Sequence, residues 1–176
     1  MGLTLNAQKI LSIYGQIEGR KTGSTFLYPE HIILAIIKNE IGKAFNILKT
    51  FHLNLANLQF NLENNISSED SKEIEGDIPP SHRLKTLVDI AATEAQILHS
   101  NNIGTEHLLL ASIREEKSVM NLFFKGALIS VEQLRAFILK AYVSQPELSM
   151  IGQKNIGTTN GTEKNSSKSQ SSLLKE

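Results

Sequence analysis

A Glu-His pair at the start of an apolar run occurs twice in this chain, and it constrains the fold more than any other feature. The later copy reads Gly104-Thr105-Glu106-His107-Leu108-Leu109-Leu110-Ala111, and the earlier copy, 76 residues before it, reads Tyr28-Pro29-Glu30-His31-Ile32-Ile33-Leu34-Ala35. Each copy predicts a loop that turns into a helix too apolar to face water. Thr105 is predicted to be the N-cap, and Pro29 in its place is tolerated in a first turn. The carboxylate that follows is favoured by the positive end of the helix dipole.

The duplication extends well beyond these eight residues. At an offset of 76, Leu5–Leu58 aligns with Ser81–Leu134 without a gap, and 12 of the 54 aligned pairs are identical. Because internal repeats fix the architecture of a chain, this one is interpreted before any single element. A period of 76 is too long for one helix pair of a solenoid. The sequence therefore predicts two copies of a small helical subdomain.

Apolar residues at spacings of three and four predict four helices in each copy. The predicted helices of the first copy are Leu5–Lys21, Glu30–Asn39, Lys43–Thr50 and Leu55–Asn64. Those of the second are a helix that follows Ser81, then Glu106–Arg114, about Val119–Lys125, and a helix that opens at Ser130. A buried stripe is predicted on the first helix, and further inward positions are predicted in a turn and on the seventh helix: Ile10, Ile13, Tyr14, Ile17, Phe26, Leu27, Leu122 and Phe123. The predicted fold class is all-α, with two tandem pseudo-symmetric four-helix repeats and eight helices.

Composition shifts divide the chain into four predicted segments. These are a first repeat over 1–66, an acidic linker over 67–80, a second repeat over 81–143 and a flexible low-complexity tail over 144–176. Over Glu63–Pro80, six acids stand against Lys72 and the stretch ends in Pro79-Pro80, which is typical of a solvated connector. Within the tail, Thr158–Ser172 is almost entirely polar, so it cannot bury enough apolar surface to order itself and is predicted to be disordered.

Composition also excludes several classes of function. The formal net charge of zero argues against nucleic acid as a partner, and no apolar run approaches the roughly 18 residues of a membrane span. The absence of cysteine excludes disulfides and thiolate metal sites, and it fits a cytoplasmic protein. Gly42-Lys43 is followed by Ala44, so it is not a phosphate loop. We expect no enzyme activity, no catalytic residue, no metal and no cofactor.

The two histidines raise the possibility of a small enzyme that uses its Glu/His pairs. Each of His31 and His107 directly follows its glutamate, so the two side chains of a pair point about 100° apart on a helix. This spacing favours a hydrogen-bonded structural histidine over a metal ligand or a general base. The enzyme remains an alternative, as does a purely structural helical scaffold.

The stretch from Asn102 to Ala111 resembles the double Clp repeat, the N-terminal domain of the ClpC and ClpA type of AAA+ unfoldase. Asn102 stands where this family usually has an aromatic residue. The first copy departs further, because Leu27-Tyr28-Pro29 replaces the usual Ile-Gly-Thr, although Phe26 keeps the aromatic position. The resemblance covers roughly residues 3–142.

The resemblance implies a non-catalytic module that binds substrates or adaptor proteins for a Clp ATPase and its ClpP peptidase. A free-standing accessory protein of a Clp complex is the alternative. Domains of the ClpC type bind phosphoarginine near the motif glutamate, so the resemblance implies Glu30, Thr105 and Glu106 as ligand-binding residues. Free amides at a helix N-terminus suit a phosphate, and a carboxylate suits a guanidinium. An acid in this position is also a routine capping feature.

Overall fold

A computed structural model describes residues 1–66 and 74–143 and shows eight helices in that part of the chain. Helix α1 has three contiguous segments, α-helical Leu5–Lys9, π-helical Ile10–Tyr14 and α-helical Gly15–Lys21. The other helices are α2 (Pro29–Asn39), α3 (Gly42–Thr50), α4 (Leu55–Asn65), α5 (His82–Ile97), α6 (Thr105–Arg114), α7 (Val119–Gly126) and α8 (Val131–Ile138), which continues as π-helical Leu139–Val143. The all-α prediction of two four-helix repeats is confirmed. The predicted tail over 144–176 lies outside the described residues.

Three of the predicted N-caps are confirmed. The side-chain oxygens of Thr4, Asn54 and Ser81 accept hydrogen bonds from amides three residues later, at 3.2, 3.0 and 3.1 Å. Each bond satisfies an amide that has no partner within its own helix. The starts of α1, α4 and α5 are therefore fixed by local chemistry.

The π-helical segment of α1 changes the register between the repeats. The residues buried on α1 are Ala7, Ile10, Gly15, Glu18 and Gly19, and those on α5 are Leu84, Leu87, Ala91, Glu94 and Ala95. The two sets differ by 77 before the π turn and by 76 after it. The amide of Gly15 bonds the carbonyl of Ile10, five residues back, so the turn absorbs one extra residue. The gapless offset of 76 thus fails over the first turns of α1.

This extra residue also explains why the predicted stripe on α1 is wrong. Ile10 is buried, but Ile13 is 50% exposed and Ile17 is 44% exposed. A stripe at spacings of three and four assumes 3.6 residues per turn throughout, and the five-residue step from Ile10 to Gly15 rotates the later residues away from the core. In the turn before α2, the prediction that Leu27 points inward is confirmed, because it is buried. The same prediction for Phe26 is wrong, because Phe26 is 45% exposed.

Helix α7 also buries a different face from the predicted one. Met120 and Phe124 are buried, Phe123 is half-buried and Leu122 is 57% exposed. The buried pair is spaced by four, as a helix packed along one stripe requires. The prediction that Leu122 points inward is therefore wrong.

The two repeats are joined by matching pairs of extended backbone. Gly2–Leu3 pairs in parallel with Asn102–Ile103, just before α6. An isolated parallel bridge joins Leu27, just before α2, to Pro80. Each repeat thus places the segment before its first helix against the loop that leads into the other repeat's Glu-His helix.

The described end of the predicted linker is bound to the first repeat. Ile78 is buried, and its amide and carbonyl bond the side chain of Gln16 at 2.8 and 3.0 Å. Arg20 donates to the carbonyls of Ile74 and Gly76 at 3.4 and 2.6 Å. Over residues 74–80 the chain is therefore held in place instead of forming the predicted solvated connector, and residues 67–73 lie outside the described part.

The chain divides into two compact units, Met1–Val131 and Glu132–Glu176. In the first, α2 and α6 are the most buried helices, with every residue of Pro29–Ile37 and Thr105–Ile113 buried. In the second, described to residue 143, Leu134 and Ile138 are buried and the rings of Phe137 and Tyr142 meet edge to face. The four predicted segment boundaries remain a prediction.

Candidate functional site

Both Glu-His helices begin one residue earlier than predicted, at Pro29 and at Thr105. Gly104 is the N-cap of α6, with extended backbone, and Thr105 is the first helical residue. In the first repeat Tyr28 is the N-cap and Pro29 occupies the first helical position, where its missing amide costs no hydrogen bond. The prediction that Thr105 caps α6 is therefore wrong.

Thr105 instead caps a helix of the other repeat. Its Oγ1 accepts a hydrogen bond of 3.1 Å from the amide of Ala44, in the first turn of α3, and its side chain is fully buried. The N-cap of α3, Ile41, has no side-chain oxygen to offer. Gly42 adopts a φ of +82°, and a Cβ there would overlap the Thr105 side chain. Thr105 therefore fixes α3 against the start of α6.

Glu106 lies in this junction between α6 and α3. Its carboxylate is buried, and Lys43 Nζ lies 3.8 Å from its Oε2. The carboxylate occupies the space that a Cβ at position 104 would fill, so Gly104 is needed for room, since its φ of −101° suits any residue. The site therefore holds an acid and a cation side by side at a helix N-terminus, whose free amides favour anions.

Glu30 lies at the corresponding place in the first repeat, with different partners. Its Oε1 and Oε2 accept hydrogen bonds from Arg83 at 3.3 and 3.0 Å, and Oε2 also accepts from Asn65 Nδ2 at 2.8 Å. Arg83 also donates to both oxygens of Glu115, at 2.7 and 2.8 Å. This acid is therefore part of a closed ion-pair network that joins α2, α5 and the end of α6.

Each histidine bonds the loop that precedes its own helix. His31 Nδ1 accepts from the amide of Tyr28 at 2.9 Å, and His107 Nδ1 accepts from the amide of Gly104 at 2.8 Å. Because Nδ1 accepts, a neutral ring carries its proton on Nε2, and in His31 that nitrogen lies 2.9 Å from Thr22 Oγ1. The predicted structural role of the histidines is confirmed.

Burial keeps both rings neutral. Burial lowers the pKa of His107 to about 4, helped by the charge of Lys43 and opposed by Glu94. Burial also lowers the pKa of His31, against the opposing charges of Glu30 and Glu18. An Nδ1 that accepts a hydrogen bond cannot do so once protonated, so acid acts directly on the loops that begin α2 and α6.

Acid is therefore expected to destabilise the fold through His107. The unfolded ring titrates near pH 6.5 and the folded ring near 4, so the unfolded state binds more protons between these values. The contribution is complete above pH 6.5, and about 3 kcal/mol is lost as the pH falls to 4. Urea unfolding at pH 7 and pH 4.5 should show a smaller loss for His107→Asn, whose amide oxygen can accept without titrating, than for the exposed control His52→Asn. Equal losses would contradict this account.

Two further buried acids join the first two helices of each repeat. Glu94 is fully buried and bonds Arg114 at 2.7 Å; Glu18, its counterpart, bonds Lys38 at 2.8 Å. The acids and the cations of the two pairs are both matched at the offset of 76 between the repeats. They are structural ties between α5 and α6 and between α1 and α2.

The sequence identified the acids of the site but missed their cations. Thr105 and Glu106 are adjacent at the start of α6, whereas Glu30 lies on α2 with its own network. Lys43 and Arg83 are 63 and 53 residues from the acids they meet, and no local pattern marks them.

Within residues 1–66 and 74–143, no group of three or more His, Asp or Glu side chains is arranged to hold a metal. In the same residues, no helix is both long and apolar enough for a membrane crossing.

A family model described as the Clp repeat (R) N-terminal domain matches residues 3–127. ClpC of Staphylococcus saprophyticus, an ATP-dependent Clp protease ATP-binding subunit, is 31% identical over 147 residues, which are 84% of this chain and 17% of the relative. A ClpA homolog of Cyanidium caldarium is 30% identical over 161 residues, 92% of this chain and 18% of the relative. The chain thus spans less than a fifth of the length of these relatives.

Solved structures show the same fold. The N-terminal domain of Hsp104 from Candida albicans superimposes with a TM-score of 0.61 at 20% identity, covering 77% of this chain and 88% of that domain. The N-terminal domain of the chaperone ClpD from Arabidopsis thaliana gives 0.55 at 17% identity, covering 78% and 95%.

Fold and motif together define a double-repeat helical module of the kind found at the front of Clp-type proteins. The chain belongs to the Clp N-terminal domain family. It matches the N-terminal part of ClpC and ClpA and resembles a protein-binding module associated with Clp-dependent proteolysis and chaperones.

Proposed function

We propose that this chain binds protein substrates for a Clp-type unfoldase and recognises phosphorylated arginine on them at the N-terminus of α6. The observation that carries the proposal is the buried Glu106 carboxylate in a first helical turn, with Lys43 Nζ 3.8 Å away. A phosphoguanidinium group bears an anionic phosphoryl and a hydrogen-bonding guanidinium. Glu106 would take the guanidinium, and Lys43 with the helix terminus would take the phosphoryl.

Thr105 has a positioning role in this proposal. Its hydroxyl bonds the amide of Ala44 and so holds Lys43, the preceding residue, beside Glu106. It is fully buried, so it supports the geometry of the acid and the cation, and ligand contact falls to its neighbours.

The module itself would carry out no chemistry. In this proposal, ATP hydrolysis and peptide cleavage belong to a Clp ATPase and ClpP, and this cytoplasmic chain only delivers or receives proteins. An accessory protein of the same Clp complex would use the same site, and it would co-purify with the Clp ATPase. An enzyme that used the Glu/His pairs would instead show turnover, for which neutral, loop-bound histidines are poorly suited.

Glu106→Gln is expected to weaken binding of free phosphoarginine at least about tenfold, since hydrogen bonds to a charged group contribute roughly 1.5–3 kcal/mol. Isothermal titration calorimetry on the whole chain measures this. Glu116→Gln, an exposed acid near the far end of the same helix, is the matched control and should bind like the wild type. If Glu106→Gln binds phosphoarginine as tightly as Glu116→Gln, the proposal that Glu106 binds the guanidinium is wrong.

A further inference from the structure

We propose that Arg83 is an intramolecular occupant of the Glu30 carboxylate, so that Glu30 is closed to guanidinium ligands and only Glu106 of the two motif acids accepts one. The inference rests on the proposed function of Glu106. It adds that the chain engages one marked arginine at a time, although it carries two copies of the motif.

The contact between Arg83 and Glu30 is the one that a guanidinium ligand would make. Nη1 and Nη2 of Arg83 donate to Oε1 and Oε2 of Glu30 at 3.3 and 3.0 Å, a two-bond fork. Such a paired arrangement is the strongest common geometry between a guanidinium and a carboxylate. Asn65 Nδ2 donates a third hydrogen bond of 2.8 Å to the same acid.

A second acid, Glu115, also holds Arg83 in this place. Nε and Nη2 of Arg83 donate to the Glu115 carboxylate at 2.7 and 2.8 Å, along a different edge of the guanidinium from the one that faces Glu30. Hydrogen bonding to Glu115 is the chief cause that raises the pKa of Arg83, with Glu30 adding to it. The arginine is therefore clamped between two carboxylates, with its side chain 41% exposed.

The space beside Glu30 is too small for a phosphorylated guanidinium. The cavity lined by Pro29, Glu30, Ser112 and Glu115 has a volume of about 10 Å³, close to the volume that a single water needs. A phosphorylated guanidinium does not fit in a cavity of this volume.

The first repeat has no arginine at the position equivalent to Arg83 that could reach Glu106. Before the π turn the repeats align at an offset of 77, as the N-caps Thr4 and Ser81 show, so Asn6 stands where Arg83 stands. An uncharged amide cannot form the two-bond ion pair. The cation near Glu106 is Lys43, a point charge on a flexible stem, 29% exposed, which can move from the carboxylate to a phosphoryl group.

The experiment is chemical rescue of Arg83→Ala with methylguanidinium. The side-chain amide of Asn65 reports on Glu30 by NMR, and thermal unfolding reports on stability. We expect Arg83→Ala to melt several degrees below the wild type, and millimolar methylguanidinium to shift the Asn65 amide and raise Tm saturably. The wild type should show neither effect, with sodium chloride at equal ionic strength as the salt control.

Two variants isolate the carboxylate. Arg83→Ala combined with Glu30→Gln should lose the rescue, because the acid is gone. Arg20→Ala removes an arginine that donates to the backbone carbonyls of Ile74 and Gly76, and it should not be rescued. No response of Arg83→Ala, an equal response of the double variant, or a shifted Asn65 amide in the wild type would each overturn the proposal.

An arm on the unmodified chain covers the case in which Arg83→Ala does not fold. Saturating phosphoarginine should bind the wild type at one equivalent and leave the Asn65 amide unshifted; two equivalents, or a shifted Asn65, would overturn closure of the Glu30 site. If phosphoarginine does not bind at all, the proposed function fails, and the methylguanidinium arm still decides whether Arg83 fills a guanidinium site.

Discussion

Replacing Arg114 with methionine is expected to lower the free energy of unfolding by about 2 kcal/mol, because the fully buried Glu94 carboxylate loses a charge-assisted hydrogen bond, which contributes roughly 1.5–3 kcal/mol. The Glu94 carboxylate has no solvent exposure, and Arg114 Nη1 lies 2.7 Å from it. Methionine keeps the length and helix propensity of the side chain but supplies no charge. Urea unfolding at pH 7 gives the value.

Two further variants distinguish the loss of the ion pair from the effect of placing a methionine on a helix. Lys125→Met removes a cation from an exposed position on α7 and should change stability by about 0.5 kcal/mol or less. Combining Arg114→Met with Glu94→Gln should recover part of the loss, because the buried charge is also removed. A loss below about 1 kcal/mol for Arg114→Met would show that the pair contributes no more than a surface salt bridge.

Gly42→Ala is expected to cost about 3 kcal/mol for two reasons that act together. Position 42 has a φ of +82°, which strains any residue with a Cβ. The added Cβ would also displace the Thr105 side chain and with it the hydrogen bond to the amide of Ala44, a cap worth about 1 kcal/mol. The measurement is again urea unfolding at pH 7.

Gly126→Ala provides the matched control, because a Cβ there meets nothing within 4 Å. It should be neutral or stabilise by up to about 1 kcal/mol. Gly42→Ala combined with Thr105→Ala should cost less than the sum of the two single changes, since the overlap disappears once the Thr105 side chain is removed. Strict additivity would contradict the contact between Gly42 and Thr105.

The helices were predictable because their signals are local. Caps at Thr4, Asn54 and Ser81 and apolar spacing along α2 and α6 are encoded within a few residues. The faces of α1 were not predictable, because the π turn at Ile10–Tyr14 leaves no mark in composition. The π turn adds one residue to α1 relative to α5, and a gapless alignment of the two repeats does not show this difference.

The site was predictable only in part for a related reason. Glu30 and Glu106 follow from the duplicated motif, whereas Arg83 and Lys43 reach them from the other repeat, across the fold. Thr105 shows the same limit, because a threonine before a helical run suggests a cap for its own helix, and only tertiary packing turns its hydroxyl toward Ala44.

A titration of the ¹⁵N-labelled wild type with free phosphoarginine, followed by NMR, tests the central claim most directly. The account predicts saturable shifts of the backbone amides of Thr105–Leu108, together with Ala44, whose amide bonds Thr105. Free arginine and inorganic phosphate at the same concentrations should shift them far less, because arginine lacks the phosphoryl group and phosphate lacks the guanidinium. Absence of saturable shifts at millimolar phosphoarginine, or shifts confined to other parts of the chain, would contradict it.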